Sequence, residues 1–272
     1  MSTLPSLHSA TIDAMVDNAG RATLPFRRAN REEQHATAFW FNELVETTGE
    51  EEVVRQYLVT AGESTEIKLA EFTLRADLCA PAMSAEKLVM ADFAEGWTHL
   101  DDLGVAVMPT AGLHAHAVRK GWSWTTDEIT DGLAATDEDI AALGESPVPA
   151  CLLGHVLDTA TGEREQAVVV GEVSRTGDGG VRWAGELPQG CVGAPVFVSA
   201  RLGGDRFKLV CVGVALSGEG HHPIATFDRI RTSLRALADS AFAEGSRSVG
   251  PDPRTRGSDR RGWQWRGWRR RG

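Results

Sequence analysis

Between residues 36 and 215 the chain is cut into ten short apolar runs, at 36–42, 52–60, 66–74, 87–93, 104–108, 150–156, 166–173, 181–183, 194–198 and 207–215. Val, Ile, Phe and Trp are frequent in them, and Gly, Pro and acidic turns separate them. β-branched and aromatic side chains fit a pleated surface better than a helix. Segments this short, recurring at this spacing, predict an all-β barrel or sandwich architecture. Gly177-Asp178-Gly179-Gly180, between Val173 and Val181, reads as a hairpin turn.

Three segments carry a helical signal instead. Residues 9–18 place Ile12, Met15 and Val16 on one face. Residues 125–143 are acidic, with the capping patterns Thr125-x-x-Glu128 and Thr136-x-x-Asp139, and fall where a linker between two β-units would sit. Residues 226–243 follow the N-cap Thr226 and line up Ile230, Leu234, Leu237 and Phe242. The expected organisation is an N-terminal extension (1–21), a first β-barrel (22–124), an acidic helical linker (125–147), a second β-barrel with the closing helix (148–244), and a disordered basic tail (245–272).

Charge divides the chain unevenly. The net formal charge is −10, yet the last 22 residues hold eight Arg and two Asp. The body is therefore strongly acidic, which excludes it as a general nucleic-acid binder, because phosphate binding needs a positive field. In the tail, Trp263, Trp265 and Trp268 are interleaved with Arg260, Arg261, Arg266, Arg269, Arg270 and Arg271. That combination suits an anionic partner: a nucleic-acid backbone, an anionic membrane or an acidic protein surface. It equally suits contact with the chain's own acidic body, a solvated appendage, or an extension without a role. No run reaches the roughly 18 apolar residues of a membrane span. The first residues have neither a basic nor an apolar stretch of signal-peptide type. Four scattered cysteines (Cys79, Cys151, Cys191, Cys211), with no CxxC pair, predict reduced thiols and a cytoplasmic location.

Four local patterns then occur in a telling order: Ala36-Thr37-Ala38-Phe39-Trp40; Tyr57-Leu58-Val59-Thr60-Ala61-Gly62-Glu63; Asp101-Asp102-Leu103-Gly104-Val105-Ala106-Val107-Met108-Pro109; and Pro188-Gln189-Gly190-Cys191-Val192-Gly193-Ala194-Pro195-Val196-Phe197, followed by Val212-Gly213-Val214-Ala215. Together, over roughly residues 22–243, they resemble the trypsin/chymotrypsin-like serine peptidase family, in its intracellular bacterial branch. The resemblance implies two antiparallel β-barrels with a C-terminal helix and a cleft between the barrels. It also implies a Ser nucleophile, a His base and an orienting Asp. At the matching positions stand Val192, Glu63 and Gly104. Val has no nucleophile, Glu lacks the two-sided imidazole, and Gly orients nothing. The resemblance thus implies a degenerate peptidase that binds a protein or peptide without turnover. The backbone N–H groups of Gly190 and Val192, beside Gly193, would occupy its oxyanion-binding places.

A second reading keeps catalysis, with Cys191 as nucleophile, His99 as base and Asp102 as its partner. His114-x-His116 has a metal-like spacing but no third ligand, so no metal is expected. Cys151 and His155 read as core, and His221-His222 as a turn. Without a Walker-type loop or GxGxxG, no cofactor is expected.

Overall fold

Two β-units emerge in the computed structural model, which describes residues 7–31, 35–49, 51–85, 88–158, 160, 164–203 and 206–247. The first unit begins with helix α1 (Leu7–Ala19) and strands β1 (Thr23–Arg28), β2 (His35–Thr48), β3 (Glu51–Ala61) and β4 (Leu69–Phe72). It continues with β5 (Cys79–Ala80), β6 (Leu88–Ala91), β7 (Thr98–Leu100), β8 (Val105–Pro109), helix α2 (Ala111–Lys120), β9 (Ser123–Trp124), β10 (Ile129–Thr130) and helix α3 (Asp137–Ala141). The second unit comprises β11 (Val148–Leu157), β12 (Arg164–Arg175), β13 (Val181–Ala184), β14 (Pro195–Gly203), β15 (Arg206–Ala215), β16 (His222–Thr226) and helix α4 (Phe227–Arg247).

In the first unit the order β6-β4-β1-β2-β3-β8-β7 makes an antiparallel sheet, with β10 beside β2 and β5 paired to β9 separately. In the second, β11-β12-β13-β16-β15-β14 closes into a barrel. The all-β class with a C-terminal helix is as expected. One detail differs: among the described residues the first sheet stays open, because β6 and β7 at its two ends are not paired to each other. The β10–β2 pairing is also parallel, at Ile129↔Phe41 and Thr130↔Asn42.

Strand alternation explains how the units meet. On β2, Ala36, Ala38 and Trp40 enter one core with Leu58, Phe72 and Met108, while Phe39 and Phe41 enter a second core with the barrel residues. β3 and β8 split likewise, Leu58 and Met108 to the first core, Val59, Val105 and Val107 to the second. These strands are thus buried on both faces, and side-chain period 2 shares them between two cores. Phe227 of α4 closes the second core, its ring centroid 5.0 Å from that of Phe41. In the first core Phe26 lies 5.5 Å from Phe72 and 5.4 Å from Phe93. Each such buried ring contributes roughly 1.5–3 kcal/mol.

The expected acidic helix at 125–143 is replaced by short pieces. Residues 125–128 form no helix; Ile129–Thr130 is strand, and only Asp137–Ala141 is helical. The Thr136/Asp139 capping box is present there. β-branched Thr130 and Ile129, then Asp131-Gly132, favour pairing and a turn over helix propagation. His114 and His116 lie on α2, not on a strand or loop. The hairpin at 177–180 forms as expected: Gly179 N–H donates to Thr176 O and Thr176 N–H to Gly180 O, both at 2.9 Å. Among the described residues no helix is long and apolar enough to cross a membrane. The tail residues Trp263, Trp265, Trp268, Arg266, Arg269 and Arg270 lie outside the described residues.

Candidate functional site

Where the two units touch, the segment from Pro188 to Ala194 turns sharply into β14. Gln189–Cys191 forms a 3-10 turn, and Val192 has φ −61° and ψ 131°. The turn consumes its own amides: Cys191 N–H donates to Pro188 O at 2.8 Å and Val192 N–H to Gln189 O at 3.2 Å. Gly193 N–H donates to Ala215 O at 2.8 Å and Ala194 N–H to Cys191 O at 3.1 Å. The Val192 and Gly193 amides therefore point at internal acceptors; of the expected pair, Gly190 and Val192, the Val192 N–H is taken up within the turn. Gly193 has φ +85°, and a Cβ there would lie 2.2 Å from Thr60 Oγ1 and 2.5 Å from Thr37 O. Only glycine fits.

Thr37 of β2 ties this loop to the first sheet. Its N–H donates to Val192 O at 3.0 Å, and its hydroxyl donates to Gly190 O at 2.6 Å. Thr37 Oγ1 also accepts the His155 N–H at 3.1 Å, and Thr37 O accepts the Thr60 hydroxyl at 2.7 Å. His155 Nδ1 lies 3.4 Å from Thr37 Oγ1. His155 is 2% exposed, and burial, helped by the charges of Arg75 and Arg164, lowers its pKa to about 3. A neutral imidazole follows. A second histidine, His35, lies against Gly190, because a Cβ at that glycine would meet the His35 Cδ2 at 2.4 Å and Nε2 at 2.6 Å. Neither Thr37, His155 nor His35 was singled out from sequence as a site residue; 118 positions separate Thr37 from His155, and no local spacing encodes such a pair.

Glu63 is the second residue of the 3-10 turn Gly62–Thr65 at the end of β3. It is exposed, and its carboxylate accepts a hydrogen bond from the Ser217 hydroxyl across the gap between the units. Gly62 N–H donates to Gly104 O at 2.8 Å, so the Glu63 and Gly104 positions are adjacent. Gly104 has φ +66°, and a Cβ there would lie 3.3 Å from Leu216 Cδ1. This left-handed backbone suits glycine and disfavours most side chains. Chemically, the arrangement offers a carboxylate and a serine hydroxyl but no imidazole between them. A carboxylate is a weak base toward an aliphatic hydroxyl, so the pair serves as a contact between the units.

The structure does not assemble Cys191, His99 and Asp102. Cys191 is fully buried, and its thiol donates to His155 O at 3.8 Å. Burial pushes that thiol up to about 12, with the bond to His155 opposing. A Cβ at Gly154 would sit 2.6 Å from Cys191 Sγ, so the sulfur faces β11. His99 is exposed on β7 with Nε2 2.8 Å from Thr65 Oγ1, and since that hydroxyl donates to Gly62 O, the imidazole is the donor. Asp102 is exposed in the turn before β8. Among the described residues no hydrogen bond joins the three.

The remaining candidates are packing groups. His114 Nε2 lies 2.6 Å from Gln56 Oε1, and the ring sits 5.8 Å from Trp40. Burial lowers its pKa. His116 lies 5.7 Å from the Trp122 ring. Cys151 and His155 are both buried on β11.

No family model and no curated protein matches this chain. Solved structures similar in fold include a serine endoprotease from Yersinia pestis, at 12% identity and TM-score 0.45, covering 90% of this chain and 68% of that one. Deg5 matches at 12% identity and TM-score 0.48, over 86% of this chain and 95% of that one. An HtrA-type protease with tripeptide matches at 12% identity and TM-score 0.42, and the chain spans 64% of its length. At such identity the likeness is one of fold alone.

Proposed function

We propose that this chain is a trypsin-like domain of the intracellular bacterial type that has lost catalysis and binds a protein or peptide partner. One observation carries the reading. At the junction of the units, the positions that the resemblance assigns to a base, an orienting acid and a nucleophile are held by Glu63, Gly104 and Val192, while the Cys191, Val192, Gly193 and Ala194 amides bond internally. Acyl transfer needs a nucleophile, a base within hydrogen-bond reach and donors aimed at the developing oxyanion. Here Glu63 instead joins the units through the Ser217 hydroxyl, and the Gly62–Gly104 bond ties the end of β3 to the start of β8 within the first unit. The rearranged Cys191 alternative is not favoured, since its thiol is buried and held protonated. Four free, buried cysteines suit a reducing cytoplasm.

Selection of displayed peptides against the intact chain tests the binding half. Peptides selected by the junction should lose affinity at least about tenfold when Ser217→Trp fills the exposed rim. Selected peptides indifferent to Ser217→Trp, or none at all, overturn the assignment of binding to this cleft.

A further inference from the structure

We infer that the acidic end of the β2–β3 hairpin docks the Arg- and Trp-rich C-terminal segment of the same chain. The direction of α4 leads to this surface. Phe227 at its start packs 6.1 Å from Phe39 and 5.0 Å from Phe41. One turn on, Arg231 Nε is 3.7 Å from Asp131 Oδ1, and Asp131 Oδ2 accepts the N–H of Leu44 at 2.8 Å. A further turn on, the charge of Arg235 acts on the buried Glu43. Helix and strand therefore run the same way. From Arg235 to Arg247 an α-helix advances about 18 Å, and from Glu43 to Thr48 a strand advances about 17 Å. Equal advances in the same direction would bring the end of α4 level with Thr48.

Twenty-five residues, 248–272, follow that end. The six before Arg254 span about 20 Å when extended, enough to bring the first arginine alongside the hairpin. The receiving surface is a ribbon of two strands. Beyond Asn42, where β10 ends, residues 43–48 of β2 pair, among the described residues, only with β3. Such a ribbon is marginal by itself and gains from being covered. Glu46 and Glu52 are exposed on it, with Thr47 opposite Glu52, and Val45 is 42% exposed. Among the described residues the Glu46 carboxylate accepts one hydrogen bond, from the Thr48 hydroxyl at 3.1 Å. Nearby Arg55 and Arg235 act on Glu43, and Arg231 on Asp131, so the body's own cations serve the base of the ribbon. The tail brings eight Arg and three Trp. Guanidinium forks match carboxylates, and indole rings fit beside an exposed Val.

Disulfide trapping in the full-length chain tests this. Thr47→Cys and Gly267→Cys place one thiol on the exposed ribbon and one in the tail, while the four native thiols stay buried. The intramolecular bridge should form about tenfold faster than in the same pair carrying Glu46→Lys and Glu52→Lys, the size expected of two or three exposed ion pairs. The difference should close at about 0.5 M salt. Equal rates in both charge backgrounds overturn the inference. So does bridging found only between chains when the two single-cysteine variants are mixed, which would give the tail to a second copy.

Discussion

The hydroxyl of Thr37, on the first sheet, donates to the carbonyl of Gly190, on the barrel, at 2.6 Å, and both residues are buried. The same hydroxyl oxygen receives the His155 N–H at 3.1 Å. One side chain thus satisfies two backbone groups from two segments of the barrel.

Replacing it by an isostere without the hydroxyl isolates that role. Thr37→Val leaves Gly190 O and His155 N–H buried without this partner and should cost about 2–4 kcal/mol. Thr37→Ser keeps the hydroxyl and should recover at least half. Urea denaturation of the three proteins decides; equal stability of the Val and Ser variants would refute the bridging role.

Two glycines share a backbone and differ in surroundings. Gly193 and Gly179 both have φ +85°, but a Cβ at Gly193 meets Thr60, Thr37 and Ala61, whereas at Gly179 the nearest neighbour is Arg175 at 3.7 Å. Gly179→Ala should therefore cost about 1–2 kcal/mol, the left-handed penalty alone. Gly193→Ala adds overpacking and should cost at least about 3 kcal/mol. Similar melting points for the two variants would contradict the tight loop.

His155 makes stability depend on pH. Its folded pKa, about 3, lies below the reference value of 6.5, so the unfolded chain takes up a proton that the folded chain refuses. Its contribution is complete above pH 6.5 and falls on acidification between 6.5 and about 3, by up to about 1.4 kcal/mol per pH unit. His155→Gln should show a shallower loss of stability between about pH 7 and pH 5. Identical slopes in wild type and variant would mean the imidazole protonates within the fold.

Thiol titration reads the cysteines directly. All four are buried and free, and burial raises each above its ordinary value. A disulfide reagent at mildly alkaline pH should find them slow in the native protein and fully reactive in denaturant, with Cys79, at 9% exposure, the first to react. Rapid native modification at Cys191 would contradict its placement against β11.

Much of this was legible in the sequence because strand periodicity is local. The ten apolar runs lie within or across strands, Asp178-Gly179 marks the hairpin, and Thr226 precedes α4. β1 was missed because Pro25 interrupts its apolar run, although Pro25 takes a register position opposite Thr37, one residue before the pairing with β4 begins at Phe26. α2 was missed because it buries only Leu113 and Ala117, too few for a visible stripe. The site was legible only as absences at Glu63, Gly104 and Val192. The contacts found there, Thr37 with His155 and Glu63 with Ser217, join residues more than a hundred positions apart. Hydrogen bonds of that span depend on the tertiary approach of the two units, and spacing along the chain does not record it.

The central claim, a trypsin-like scaffold without turnover, is tested most directly by incubating the full-length chain with casein and a defined peptide library and reading new termini by mass spectrometry. The expected result is no cleavage above buffer, unchanged in Cys191→Ala and Ser217→Ala. New termini that disappear in either variant would contradict it and assign catalysis to that side chain.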